Sequence, residues 1–222
     1  QKLEKTRFVR VDSDSISRII VKEDAASVNL SAEERTKLTH IFTGRLPEEA
    51  KKNYNVQIES LGEQADAVLI TQGEWMRRMQ EMARMQPGMS FYGEMPESFN
   101  VVLNADHPLV KRVLSEEGAA LEGELASLRS ELKVQTEAVE TARKAQEGKQ
   151  EEEISAADKE ALDNLAHKQA ELEGKITAEL KAYGAGNDLV GQLIDLALLG
   201  SGLLTGEALA KFIQRSQSLL IK

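Results

Sequence analysis

The 222-residue chain has 41% hydrophobic and 29% charged residues, ordinary for a soluble globular protein, and is long enough for one large or two small domains with a real core. Only 4% of it is aromatic, which points to helices packed by Leu, Ala and Met more than to a β-sandwich. The absence of cysteine excludes disulfides and thiolate chemistry, and most of the net charge of −9 falls in one stretch: residues 114–183 hold 17 acidic against 9 basic side chains, a balance of −8.

The N-terminal QKLEKTRFVRV lacks the apolar core of a signal peptide, and a start at Gln1 reads as a fragment of a longer chain. RFVRV (7–11) predicts a short strand closed by the turn-forming DSD, and SISRIIVK (15–22) a short amphipathic helix. SAEE (31–34) is a capping box, in which Ser31 and Glu34 satisfy each other's backbone donors. The helix it opens should run to about Thr43 and stop at Gly44. NVQIESL (55–61) alternates like a half-buried strand, AVLI (67–70) reads as a more buried one and SFNVVLN (98–104) as a third.

Between the second and third strands lies EWMRRMQEMARMQPGM (74–89), a helix bounded by Gly73 and Pro87-Gly88. It holds five of the six methionines and the one tryptophan of the chain. Met76, Met79, Met82 and Met85 step by three, so each lags the last by about 60° and the first and fourth point opposite ways. That spread is poor for one Cu(I) site. It does make an apolar arc of about 180°, from Met85 through Met82, Trp75 and Met79 to Met76, with Arg77 and Arg84 opposite. HPLVKRVL (107–114) opens another helix, with Pro108 suited to its first turn and His107 to a capping role.

From Leu114 the texture changes. Leu121, Leu125, Leu128, Leu132, Gln135, Val139 and Ala142 follow the alternating steps of a coiled-coil seam. EGKQEEE (147–153) breaks it, Ser155 offers a new cap, and Leu162, Leu165, Gln169, Leu172 and Ile176 repeat the spacing. Two seams joined by a polar turn describe an antiparallel hairpin that would project on the order of 40 Å, its charge run being the solvated face. The hairpin, over residues 116–183, is expected to be separable from the rest. YGAGN (183–187) closes it.

Asn187 or Asp188 should cap a helix to Leu199, Gly200 and Gly202 make a turn, and Thr205 caps a last helix. The first of the two is apolar over most of its circumference and must be buried, either on its own domain or, as the favoured reading, in a bundle with a second copy. Gln192, Asp195 and Ser201 interrupt the run too often for a membrane span. The expected fold is α+β: a small three-stranded sheet with flanking helices, a long antiparallel coiled-coil insertion, and a C-terminal helical hairpin forming a dimer four-helix bundle. The division is 1–30, a preceding domain's end and linker; 31–114, the α+β core; 115–186, the insertion; and 187–222, the dimerisation helices.

Chemistry is sparse. His40, His107 and His167 have no metal-ligand spacing, and no HExxH, EF-hand, Walker or GxSxG pattern occurs. No basic stripe with interleaved aromatics suits nucleic acid.

The ordered set RFVRVDSD, NVQIESL, WMRRMQEM, SFNVVLNADHPLVKRVL (98–114) and LIDLALLGSGLLTGEALAKFIQRSQSLL (193–220) resembles the ninety-kilodalton heat-shock chaperone family, bacterial branch. The match is to its C-terminal dimerisation domain with the end of the middle domain. The resemblance implies a homodimer through Leu189, Leu193, Leu196, Leu199, Leu209, Phe212, Ile213 and Leu220. It implies contact with unfolded clients through Trp75, Met76, Met79, Met82 and Met85, in a cytoplasmic, ATP-dependent chaperone. The ATP and Mg²⁺ site and catalytic arginine would lie elsewhere in the parent chain, so this fragment is expected to hold no cofactor and not to be an enzyme. The family says nothing about the insertion. The ending SLLIK lacks the MEEVD peptide, so tetratricopeptide co-chaperones are not expected as partners. The rival reading is a coiled-coil dimeric scaffold without chaperone activity.

Overall fold

A computed structural model describes residues 30–48, 52–73, 78, 97–147 and 154–221. Among them are five helices and three strands: α1 (Ala32–Thr43), β1 (Lys52–Glu59), β2 (Val68–Gln72), β3 (Glu97–Asn104), α2 (Pro108–Gln146), α3 (Ala156–Gly186), α4 (Asp188–Gly200) and α5 (Gly206–Ile221). The strand and helix expected at 7–11 and 15–22, and the methionine-rich helix, lie outside the described residues.

The sheet is mixed. β3 is central, parallel to β1 and antiparallel to β2. Its alternation turns Phe99, Val101 and Leu103 into the core, the last two with no exposed surface. Tyr54 of β1 pairs with Phe99 in register, and their rings stack with centroids 5.7 Å apart. β1 stops at Glu59 rather than continuing to Leu61, because the next residues bond sideways. The Ser60 hydroxyl donates to Asp106 Oδ2 (2.6 Å) and the Leu61 N–H to Asn104 Oδ1 (3.2 Å).

The capping box forms as expected: the Glu34 N–H donates to Ser31 Oγ (3.2 Å) and the Ser31 N–H to Glu34 Oε2 (2.8 Å). α1 ends at Gly44 and buries Leu38, Ile41 and Phe42 completely. His107 caps α2 by accepting the Leu109 N–H on Nδ1 (3.1 Å). That helix does not stop near Leu114. No Pro follows, and it continues to Gln146, 39 residues in all, as the first arm of the hairpin.

α2 and α3 pack along the expected seam. Leu121, Leu125, Gln135, Val139 and Leu172 are buried, and the other seam residues are half-buried. The Gln135 amide crosses the seam and donates to Leu165 O (2.8 Å). Near the base of the hairpin, Leu121, Leu125 and Leu180 join the same core cluster as Leu38, Phe42, Val101, Leu103 and Ile194. The base therefore shares the core, and separability is limited to the part beyond it.

Glu117, only 1% exposed, sits between Arg129 (3.1 Å) and Lys37 of α1 (3.7 Å). Twelve residues of straight helix rise about 18 Å, beyond the combined reach of a Glu and an Arg side chain. α2 is therefore bent between Glu117 and Arg129, a stretch that carries Gly118 and Gly123.

α1 meets α3 backbone to backbone. A Cβ at Gly184 would lie 1.8 Å from Ile41 O, and one at Gly44 would lie 2.2 Å from Lys181 O. Any larger residue would force the helices apart.

Candidate dimer interface

α4 is docked on its own domain along one face. Val190, Leu193, Ile194, Ala197 and Leu198 are buried in the core cluster. On the opposite side Leu196 and Leu199 face outward, 48% and 42% exposed, with Leu189 half-buried at the end of the same stripe. Docking on the chain's own domain thus accounts for only part of an all-round apolar helix.

Gly202, at a φ of +70°, lets the chain reverse after α4, and the Leu203 N–H returns to Leu198 O (2.8 Å). α5 then lies against α4. Phe212 is buried, Leu209 is half-buried and Ile213 is 47% exposed. Of the eight residues expected at the interface, Leu196, Leu199 and Ile213 are therefore largely open and Leu189 and Leu209 half-open. Leu193 and Phe212 are turned into the protomer's core, and the Leu220 side chain lies outside the described ones. The expected client-contacting residues Trp75, Met76, Met79, Met82 and Met85 lie outside the described residues.

Beside the open stripe runs a polar network that the sequence reading missed. Arg215 of α5 donates to Gln192 Oε1 (3.1 Å), to Gly191 O (3.3 Å) and to Asp195 Oδ2. The Gln192 amide donates to Ser216 Oγ (2.8 Å). Its signal in the sequence is the pair Gln192 and Asp195, polar positions of an otherwise apolar helix. Their partners on α5 show why they are tolerated there: each polar group meets another across the helix pair.

The NADHP turn is tied into the fold by hydrogen bonds. Asn104 Oδ1 accepts from the Asp106 N–H (3.1 Å), its Nδ2 donates to Gly62 O (2.8 Å), and Asp106 Oδ2 accepts from the Gly62 N–H (2.8 Å). Next to α4, β2 and Phe99 bound a cleft of about 690 Å³ into which Leu193, Leu196 and Ala197 project. Its one titratable lining residue among those described is Asp66. No group of three or more metal-ligating side chains occurs among the described residues, and no helix there is long and apolar enough to cross a membrane.

The chain is 56% identical over 221 residues to chaperone protein HtpG of Porphyromonas gingivalis, matching 99% of this chain. The corresponding identities are 47% for HtpG of Bacteroides fragilis and 45% for that of Bacteroides thetaiotaomicron, each over 220 residues. The chain is homologous to a third of an HtpG chaperone. It spans 32% of the length of each of these relatives. The alignment with HtpG crosses the α2–α3 hairpin, so these relatives carry that segment too. No family model and no solved structure matches the chain.

Proposed function

We propose that the chain is the C-terminal part of an ATP-dependent, cytoplasmic molecular chaperone of the HtpG type. In this role it dimerises the protein through α4 and α5 and contacts unfolded clients through residues 74–89. The α2–α3 hairpin is its coiled-coil arm, and the nucleotide chemistry belongs to other parts of the parent protein. Homology to HtpG over 99% of the chain supports the chaperone reading.

One observation carries the dimer reading: α4 and α5 hold Leu196, Leu199 and Ile213 in the open although the other face of α4 is docked in the core. A patch of that kind marks an interaction site. Burying the open half of these side chains from two copies contributes on the order of 5–9 kcal/mol. Association costs about 4–15 kcal/mol, so the half-buried flank at Leu189, Leu203 and Leu209 must join the contact.

Sedimentation velocity tests the reading. The double variant Leu196→Asp with Ile213→Asp should sediment as a monomer at unchanged helical content, because it places unpaired charge in the seam without touching the core. Leu193→Asp is a poor test, since Leu193 is only 4% exposed within the protomer and its loss would unfold the chain. A double variant that remains dimeric would place the interface elsewhere.

A further inference from the structure

A single residue separates the second arm of the hairpin from the first helix of the open face: α3 ends at Gly186 and α4 begins at Asp188. Asn187 caps both. Its N–H donates to Gly184 O (3.3 Å), and its carbonyl accepts from the Gly191 N–H (3.0 Å). Its Oδ1 accepts from the Val190 N–H (3.0 Å), and its Nδ2 donates to the Tyr183 hydroxyl (3.0 Å). With every backbone and side-chain group of Asn187 engaged, the angle between the helices has little slack.

Arg45, just beyond the end of α1, closes the joint from the other side. Its Nη1 donates to Ala185 O (2.8 Å), one of the carbonyls that the end of α3 leaves without a helical partner. The same guanidinium lies against α4: a Cβ at Gly191 would stand 2.8 Å from Arg45 Nε. Arg215 donates to the carbonyl of that glycine, so α5 is tied to the same point. α1 in turn holds α3 through the Gly184–Ile41 and Gly44–Lys181 backbone contacts, and it holds α2 through Lys37 and Glu117. A glycine inside a helix is destabilising relative to alanine, and at Gly184 close approach is what it provides.

We propose that this joint, built on Asn187 and Arg45, makes the α2–α3 arm and the α4–α5 face one rigid body, so that the direction of the arm and the presentation of the face change together. For dimerisation the consequence rests on the function proposed above. A ligand that binds the arm and strains this joint shifts the dimer equilibrium, and dimerisation shifts that binding by the same factor.

The chain contains no cysteine, so spin labels can be placed at will. Ala145→Cys, exposed on the first arm, and Ala210→Cys, exposed on α5, would carry a nitroxide pair. Pulsed dipolar measurements on labelled chain diluted into unlabelled chain should give one narrow distance. Inserting Gly-Gly between Gly186 and Asn187 should broaden it at unchanged helicity and weaken dimerisation by about tenfold. If the insertion unfolds the chain, Asn187→Gly, which removes the two side-chain bonds and loosens the backbone, is read the same way. A broad distribution in the unaltered chain, or one that stays narrow after the joint is loosened, overturns the proposal. A chain that is monomeric at every concentration would instead defeat the dimer reading, and the distances would still decide whether the joint is rigid.

Discussion

His40 lies on α1 against α3, with Nε2 3.5 Å from Thr177 Oγ1. Burial first, and the Lys181 ammonium second, hold its pKa below the ordinary imidazole value. The folded state therefore binds this proton less readily than the unfolded chain. The stability it contributes is complete above the unfolded pKa of about 6.5 and is lost as the pH falls toward the folded value. Melting temperature should decline on acidification from about pH 7 to pH 5.5, and His40→Gln should flatten that decline while leaving the carboxylate-driven loss at lower pH. Asp106 offers a test of a different kind. Asp106→Ala strands the Ser60 hydroxyl and the Gly62 N–H, two donors in a part-buried site, and should cost about 2–4 kcal/mol in urea unfolding. If the NADHP turn is scaffold, the folded variant keeps the mass of the unaltered protein in sedimentation.

At the scale of elements, the two ends of the hairpin should respond differently to truncation. Leu125 is fully buried in the shared core, so Leu125→Ala should cost about 2–5 kcal/mol. Leu162, half-buried far along the arm, should cost about 1 kcal/mol when changed to Ala, because solvent and neighbours refill the space. Denaturant titration of the two variants separates the cases. The seam itself was legible because its period is local: steps of three and four put Leu121, Leu125, Gln135 and Val139 on one face whatever else the chain does. The capping box at Ser31 and the cap at Ser155 were legible for the same reason. What local pattern could not supply was direction. Leu193 and Leu196 are the same residue type three positions apart on an apolar helix, yet one meets the chain's own sheet side and the other faces out. Gly44 and Gly184 read as helix punctuation, and their second use, letting α1 and α3 touch, depends on partners 137 and 143 positions away along the chain.

For the whole molecule, the shared base predicts where the arm can be cut. Removing residues 133–168 and closing the gap with a short Gly/Ser turn leaves Leu121, Leu125, Arg129, Leu172 and Leu180 in place. That chain should melt cooperatively and keep the association state of the intact one. Removing 116–183 takes Leu121, Leu125 and Leu180 out of the core and strips α1 of its cover, and it should give an insoluble or unfolded product. Circular dichroism and sedimentation on the pair check the claim.

The contact between α1 and the end of α3 also sets an order in time. Arg45 and its acceptor Ala185 are 140 residues apart, so a growing chain makes α1 long before it makes the surface that covers it. At roughly 5–20 residues per second that interval is on the order of ten seconds. Closure of the sheet comes earlier, since the β1 and β3 partners Asn55 and Asn100 are 45 positions apart. The arm pairs with itself over a short span, so α3 arrives already joined to α2 and covers Leu38, Ile41 and Phe42 late in synthesis. Until then the nascent chain leaves the α3-facing part of that apolar helix open, the kind of surface that draws aggregation partners and folding helpers alike.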